Sequence, residues 1–321
     1  MNRRAWLAFG ALSVIWGVPY LFIKVAVDGG ISPFFLAWGR LLLGALLLTA
    51  IAPRQTCEML LRGPRRWIAA YAVVEMALPF PLIAAGEQEV DSSIAAIVIA
   101  TVPLLIALLA LRFDHTERPT RTRMTGMLIG LSGVVALVGI DLSGRSGEVL
   151  GAAAILLAAV GYAAGPLIIK RQLLTYDTFA TMAASLWVAA AVLTPFGLLT
   201  VPDSVPAADA VISVIVLGLL CTGTAFVILM TLVSEVGAGR ASIITYINPV
   251  VAVALGVIVL GESPGPGAIA GLLLILAGSW LSTDGRLPPG PNAVVTRFRA
   301  RRRTAEAEAS LLRSEAGPRA L

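Results

Sequence analysis

One histidine and two cysteines are all that this chain of 321 residues offers to metal or thiol chemistry, and Lys24 and Lys170 are its only lysines. Cys57 and Cys221 lie far apart and match no metal-ligand spacing, which argues against a disulfide framework or a zinc site. His115 stands in a charged stretch with no second histidine, so a solvated loop is its expected place. Neither lysine ends the GxxxxGK[ST] arrangement of a nucleotide-binding loop, which disfavours a primary pump. A GxSxG elbow and an HExxH pair are also missing. No catalytic residue, cofactor or metal is therefore expected, and an enzyme is disfavoured.

Charge is scarce as well. Only 13% of residues are charged against 58% hydrophobic, and the mean hydropathy is +0.88. A soluble fold could not cover so much apolar surface, so lipid must be the main solvent. The net charge of +5 could suggest nucleic acid, but the basic residues sit between apolar runs and in the tail, where membrane orientation needs them. Nucleic acid is not an expected partner; the lipid bilayer is.

What the chain has in abundance is apolar runs of about 20 residues, each able to cross some 30 Å of hydrocarbon with its backbone paired internally. Ten such helices are expected, near residues 5–27, 33–52, 67–86, 93–111, 124–140, 149–169, 178–200, 208–234, 239–260 and 266–283. Met1-Asn2-Arg3-Arg4 imitates the start of a signal peptide, but Val25-Ala26-Val27 is a poor cleavage site, so the first run is expected to be retained. With the N-terminus inside, all of the 24 Lys and Arg residues except Lys24, Arg40 and Arg145 fall on the inner side. This asymmetry predicts an N-in, C-in topology with an even number of spans. Residues 284–321 form a basic cytosolic tail, expected to be disordered.

The chain also repeats itself. Leu21-Phe22-Ile23-Lys24 matches Leu167-Ile168-Ile169-Lys170, and Pro103 matches Pro249, both 146 residues apart. Glu117, Gly126 and Gly133 match Glu262, Gly271 and Gly278, each 145 apart. Residues 5–140 and 149–283 thus form two copies of one five-helix unit. Because five is odd, the second copy enters the membrane inverted, a design that serves alternating access.

These residues resemble the drug/metabolite transporter superfamily, and within it the EamA-type transporters of ten helices. The resemblance rests on Trp16-Gly17-Val18-Pro19 through Lys24, Ser32-Pro33, Arg40, Pro103 and Glu117-Arg118, and on Tyr246-Ile247-Asn248-Pro249-Val250, Gly261-Glu262 and Gly271. It implies an all-α bundle with a central pathway between the repeats, lined by helices 1 to 4 and 6 to 9, with helices 5 and 10 peripheral. It also implies export of amino acids or related small metabolites from a bacterial inner membrane. Helix 7 has no counterpart of Arg40, so a charge-based site should be concentrated in the first repeat.

Ionisable groups within spans are costly, and each is a functional candidate. Lys24 lies near the outer end of helix 1 and can snorkel to the head groups. Arg40 and Glu75 lie deeper, about 11 and 16 Å below the outer ends of helices 2 and 3 at 1.5 Å per residue. They could form a structural ion pair. Alternatively, Arg40 attracts a substrate carboxylate while Glu75, the only acidic residue well inside a span, takes a proton or pairs with an amine. Among the aromatic residues, Trp16, Tyr20 and Tyr246 are the first candidates for the pathway, ahead of Trp38 and Tyr71, and Asn248 adds a polar amide. Pro19, Pro103 and Pro249 are candidate kinks or gates. A secondary transporter of small molecules, monomeric or homodimeric and with protons as its candidate coupling ion, is the expected function. A channel or lipid-handling protein of the same fold is the alternative.

Overall fold

The computed structural model of the chain describes residues 3–113, 120–137, 139, 146–236 and 244–282. His115, Glu117, Arg118, Arg145, Arg240 and the tail from Asp284 lie outside them. Among the described residues the structure is helical throughout, without a strand. In a chain this apolar, helices satisfy every backbone amide within one segment.

The first part of the chain forms α1 (Arg3–Ile15), α2 (Pro19–Asp28), α3 (Pro33–Ile51), α4 (Pro53–Arg62), α5 (Arg65–Ala72), α6 (Pro79–Gly86), α7 (Ser92–Ile99), α8 (Val102–Phe113) and α9 (Arg121–Ala136). The second part forms α10 (Ser146–Ile168), α11 (Thr178–Leu199), α12 (Ala208–Ile215), α13 (Ala225–Val236), α14 (Ile244–Val259) and α15 (Pro266–Ser282). Segments of wider π-helix, Val73–Ala77, Ile169–Leu173 and Val216–Thr224, interrupt or extend three of the long helices.

Among the described residues, seven helical segments are long and apolar enough to cross a membrane: Arg4–Asp28, Pro33–Ile51, Arg65–Gly86, Ser92–Leu109, Ser146–Leu173, Thr178–Leu199 and Ala208–Val233. The other three expected spans correspond to the shorter helices α9, α14 and α15. The connection after the second span carries a helix of its own, α4, whose polar face bears Arg54 and Glu58 in an ion pair of 3.1 Å.

Proline explains two of the interruptions. Pro19 has no N–H to give Ile15, and the turn at Trp16–Val18 separates α1 from α2. Pro103 likewise cannot bond Ile99, and the helix breaks at Ala100–Thr101. The repeat-related Pro249 behaves differently, because α14 continues through it. Pro249 lies close to the start of its helix, where few backbone bonds are lost. The neighbouring Asn248 amide stands 2.9 Å from the Ile244 carbonyl, so its nitrogen satisfies that oxygen.

Helices before residue 140 pack chiefly on helices after residue 146: α9 on α15, α3 on α11, α6 on α10, α7 on α14, α2 on α12 and α1 on α13. In the α3/α11 pair, Trp38 Nε1 donates to Thr194 Oγ1 at 3.1 Å and Trp187 Nε1 donates to Thr49 Oγ1 at 2.8 Å. Moving forward along α3 from Trp38 to Thr49 moves backward along α11 from Thr194 to Trp187, so the two helices are antiparallel. In α9/α15, Gly126 and Gly130 meet Gly278, and Gly133 meets Gly271, again in opposite order. A Cβ on Gly133, Gly271 or Gly278 would strike backbone of the facing helix, so these glycines set the close approach of the pair, while a Cβ on Gly130 would strike Leu104 of α8.

A carboxylate closes the contact between α7 and the loop before α15. Gly261 adopts φ +70°, a backbone conformation that glycine permits, and the following Glu262 accepts from Ser92 N at 2.8 Å and Ser93 N at 3.0 Å. Ser93 Oγ donates to the same carboxylate. Glu262 therefore caps the free amides at the start of α7 from the other half of the chain.

Candidate functional site

The residues expected to form a site divide into a converging group and a group that holds helices together. Arg40, midway along α3, belongs to the first. Its Nε donates to Thr222 Oγ1 at 2.8 Å, and its guanidinium lies over the Phe80 ring, 4.1 Å from the centroid. The Thr222 hydroxyl in turn donates a hydrogen bond to the Leu217 carbonyl at 2.8 Å, a five-residue reach that suits its π-helical segment. Phe80 meets Tyr162 edge to face at 6.5 Å. A desolvated Arg on an aromatic face gains about 2 kcal/mol, which helps hold a cation within an apolar bundle.

Glu75 sits in the centre of the π-helical Val73–Ala77 segment. The cause is Pro79, which has no N–H for the Glu75 carbonyl and whose ring needs space there. The chain widens, and Leu78 N bonds Val73 O at 2.9 Å, one residue further back than in an α-helix. Oε2 of Glu75 is buried against Gly165 of α10 with no hydrogen-bond partner among the described residues. A Cβ at position 165 would overlap that oxygen, so the glycine makes room for the carboxylate.

Among the described residues Arg40 and Glu75 form no ion pair; Tyr162 has both as charged neighbours. Tyr20 has Arg40, Tyr162 and Glu87 within electrostatic reach. Tyr71, beside Glu75, donates its hydroxyl to Met182 Sδ at 3.7 Å. The convergent group is thus Tyr20, Arg40, Tyr71, Glu75 and Phe80 from the first part of the chain with Tyr162 and Thr222 from the second.

The remaining expected residues serve helix contacts. Trp16 packs edge to face on Phe226 at 6.3 Å. Trp38 bonds Thr194 and lies against Gly197 of α11. Tyr246 donates to the Ser279 carbonyl at 3.3 Å, joining α14 to α15. The Asn248 amide stands 3.1 Å from the Ser13 carbonyl, joining α14 to α1. Lys24 does not reach for the head groups. Its Nζ donates to the Glu87 carbonyl at 2.8 Å and lies 3.3 Å from Asp28 Oδ1.

One expectation needs correcting. Glu75 is the acidic residue well inside a span, but the expectation overlooked an unexposed acid at the end of one: Glu87, one residue past α6, is 0% exposed. The sequence Gly86-Glu87-Gln88-Glu89-Val90-Asp91 reads as a polar connection, yet Gln88, Glu89 and Asp91 face outward while Glu87 turns in. Only the helical phase set by α6 distinguishes it. Phe80 and Thr222 were equally unmarked in the sequence, one being an ordinary aromatic residue and the other an ordinary hydroxyl.

The sequence profile of the EamA-like transporter family matches residues 4–139 and again residues 149–283. The chain belongs to this family. It is 30% identical over 268 residues to the uncharacterized inner membrane transporter YedA of Escherichia coli strain K12, covering 80% of this chain and 83% of that one. It is 26% identical over 285 residues to the uncharacterized transporter YoaV of Bacillus subtilis, covering 85% and 94%. A probable terminal-alkyne amino-acid exporter of Streptantibioticus cattleyicolor is 28% identical over 294 residues, covering 88% and 93%. A solved crystal structure superposes with a TM-score of 0.63 at 21% identity, over 88% of this chain and 97% of the other, and shares the fold. As an EamA-like transporter, the protein is a multi-pass integral membrane protein that moves small molecules across a lipid bilayer.

Proposed function

We propose that this EamA-like transporter exports amino acids or closely related metabolites by alternating access, through a site centred on Arg40 and Glu75. The observation that carries the reading is a guanidinium and a carboxyl group, not paired with each other, in one aromatic setting: Arg40 on Phe80 and Thr222, Glu75 against Gly165, with Tyr162 in electrostatic reach of both. A zwitterion would present a carboxylate to Arg40 and an ammonium to Glu75, and Glu75 is also the candidate for a coupling proton. The similar exporter of an amino acid supports the substrate class.

The same reading holds that α9, α14 and α15 complete ten spans in two inverted units, 5–140 and 149–283, with the N-terminus inside. Support comes from the double family match and from the helix pairs. Numbering the expected spans 1 to 10, pairs 2/7, 4/9 and 5/10 join equivalent helices. Pair 3/6 is answered by 8/1, pair 2/8 by 7/3, and pair 4/6 by 9/1. The contacts keep their pattern when the halves are exchanged, as a two-fold axis requires.

Two measurements test this. Proteoliposome counterflow with labelled amino acids should show saturable exchange of at least one of them; exchange of none would remove the substrate class. Cys57, exposed on α4, should react with a membrane-impermeant maleimide in inside-out vesicles and resist it in right-side-out ones. Cys221 is buried and serves as the internal control. Labelling with the opposite sidedness would reverse the topology.

A further inference from the structure

Among the described residues, Glu87 is the carboxyl group with both oxygens buried and unpartnered. Its side chain is 0% exposed, and neither carboxylate oxygen has a hydrogen-bond partner among the described residues. A carboxylate in that position would be among the costliest groups in the fold, since desolvation is relieved by no donor. Yet a cation stands beside it. Lys24 Nζ donates to the main-chain carbonyl of the same residue at 2.8 Å, not to its carboxyl group.

The charged surroundings come from several elements. Lys24 and Asp28 face Glu87 from α2, Arg40 from α3, and Glu262 from the loop before α15, with Tyr20 also in reach. Glu262 is engaged in capping α7, and Asp28 lies 3.3 Å from Lys24; neither bonds the Glu87 carboxyl group. Tyr20, a member of the central group, has both Glu87 and Arg40 within electrostatic reach. With the N-terminus inside, the ends of α2 and α6 lie on the outer side. Along the pathway the order is then Glu87, Arg40, Glu75.

We propose that Glu87 is a second proton-carrying carboxylate of the transport pathway, on the outer side of Arg40, with Lys24 as the cation that receives its charge when the proton leaves. In the present state the carboxyl is neutral. When the pathway opens inward its O–H proton passes to internal water. The electron pair stays on oxygen, and the resulting carboxylate is met by Lys24, which exchanges the Glu87 carbonyl for the carboxylate of the same residue. Reprotonation from outside restores Lys24 to the carbonyl. Burial supports the neutral form by pushing the Glu87 carboxyl well above the usual carboxylate range, with Lys24 opposing and Glu262 adding to the effect.

The proposal rests on the transporter reading above, and its test separates the two. Full-length wild type and Glu87→Gln are reconstituted in proteoliposomes with the labelled amino acids that exchange in the wild type. Exchange should stay within about twofold while accumulation driven by an imposed pH gradient falls at least about tenfold. Gradient-driven accumulation that survives in Glu87→Gln overturns the proposal. Equal loss of exchange and accumulation in folded protein also overturns it, since Glu87 would then bind substrate or hold structure.

If no amino acid exchanges, the substrate reading fails and thermal unfolding in detergent decides the rest. A carboxyl protonated when folded binds more protons than the unfolded chain above about pH 4.3, so stability falls as pH rises from there through the raised folded value. Glu87→Gln should flatten that slope and unfold at a higher temperature than wild type at pH 8. An unchanged slope overturns the proposal.

Discussion

Arg40→Ala is expected to reduce amino-acid counterflow in proteoliposomes about a hundredfold while leaving the protein folded. Arg40 is the only cation within the central cluster, and a charged hydrogen bond to a substrate carboxylate is worth about 1.5–3 kcal/mol, or roughly ten- to a hundred-and-fifty-fold. Its protein contacts are weak by comparison: one bond to the Thr222 hydroxyl and the face of Phe80. Thr222 keeps its bond to the Leu217 carbonyl without Arg40, so truncation strands no buried hydroxyl. Arg40→Lys separates charge from shape. A compact ammonium keeps the charge but loses the planar fork, so partial exchange with a raised KM should remain. Full activity in Arg40→Ala would show that the substrate carboxylate is held elsewhere, or that the substrate has none.

Gly278→Val is expected to give the largest loss of stability of any single change considered. A Cβ at this position would strike the Gly130 amide nitrogen and the Gly126 carbonyl oxygen, which are backbone atoms and cannot rotate away. Relief requires α15 to move off α9, which also opens the contact of Gly133 with Gly271. Overpacking of this kind costs about 3 kcal/mol, and the apparent melting temperature in detergent should fall by on the order of 10 °C. Gly10→Ala is the matched control. No atom lies within 4 Å of its added Cβ, and alanine is the better helix former. A Gly278→Val protein as stable as wild type would mean that α9 and α15 do not meet through their glycines.

Much of this was legible in the chain because the bilayer imposes simple rules. Long apolar runs mark helices since no other structure pairs the backbone in lipid, and the placement of arginine marks sides. The glycines of α9 were visible as spaced small residues that suit close helix contact, but their partner, α15, came from the structure. Arg40 and Glu75 were visible because charge in an apolar run needs a reason. Trp16, Tyr246 and Asn248, and after them Trp38, also looked suited to a pathway, but aromatic and amide side chains join helices as readily as they line cavities. Their hydrogen bonds and ring contacts in the structure are of the first kind.

The sequence by itself determined the solvent, the helical class and the two ionisable residues within spans, which follow from composition and order along the chain, and its motifs carried the resemblance to the transporter family. Only the tertiary structure decided which groups share a space. Tyr162 has both Arg40 and Glu75 as charged neighbours, Thr222 reaches Arg40 from 182 residues away, and Lys24 turns to Glu87 in place of the head groups. Glu87 shows the reason most clearly. Its neighbours in sequence are solvated acids, and its environment is set by the phase of α6 and by helices distant in the chain, which no local pattern records.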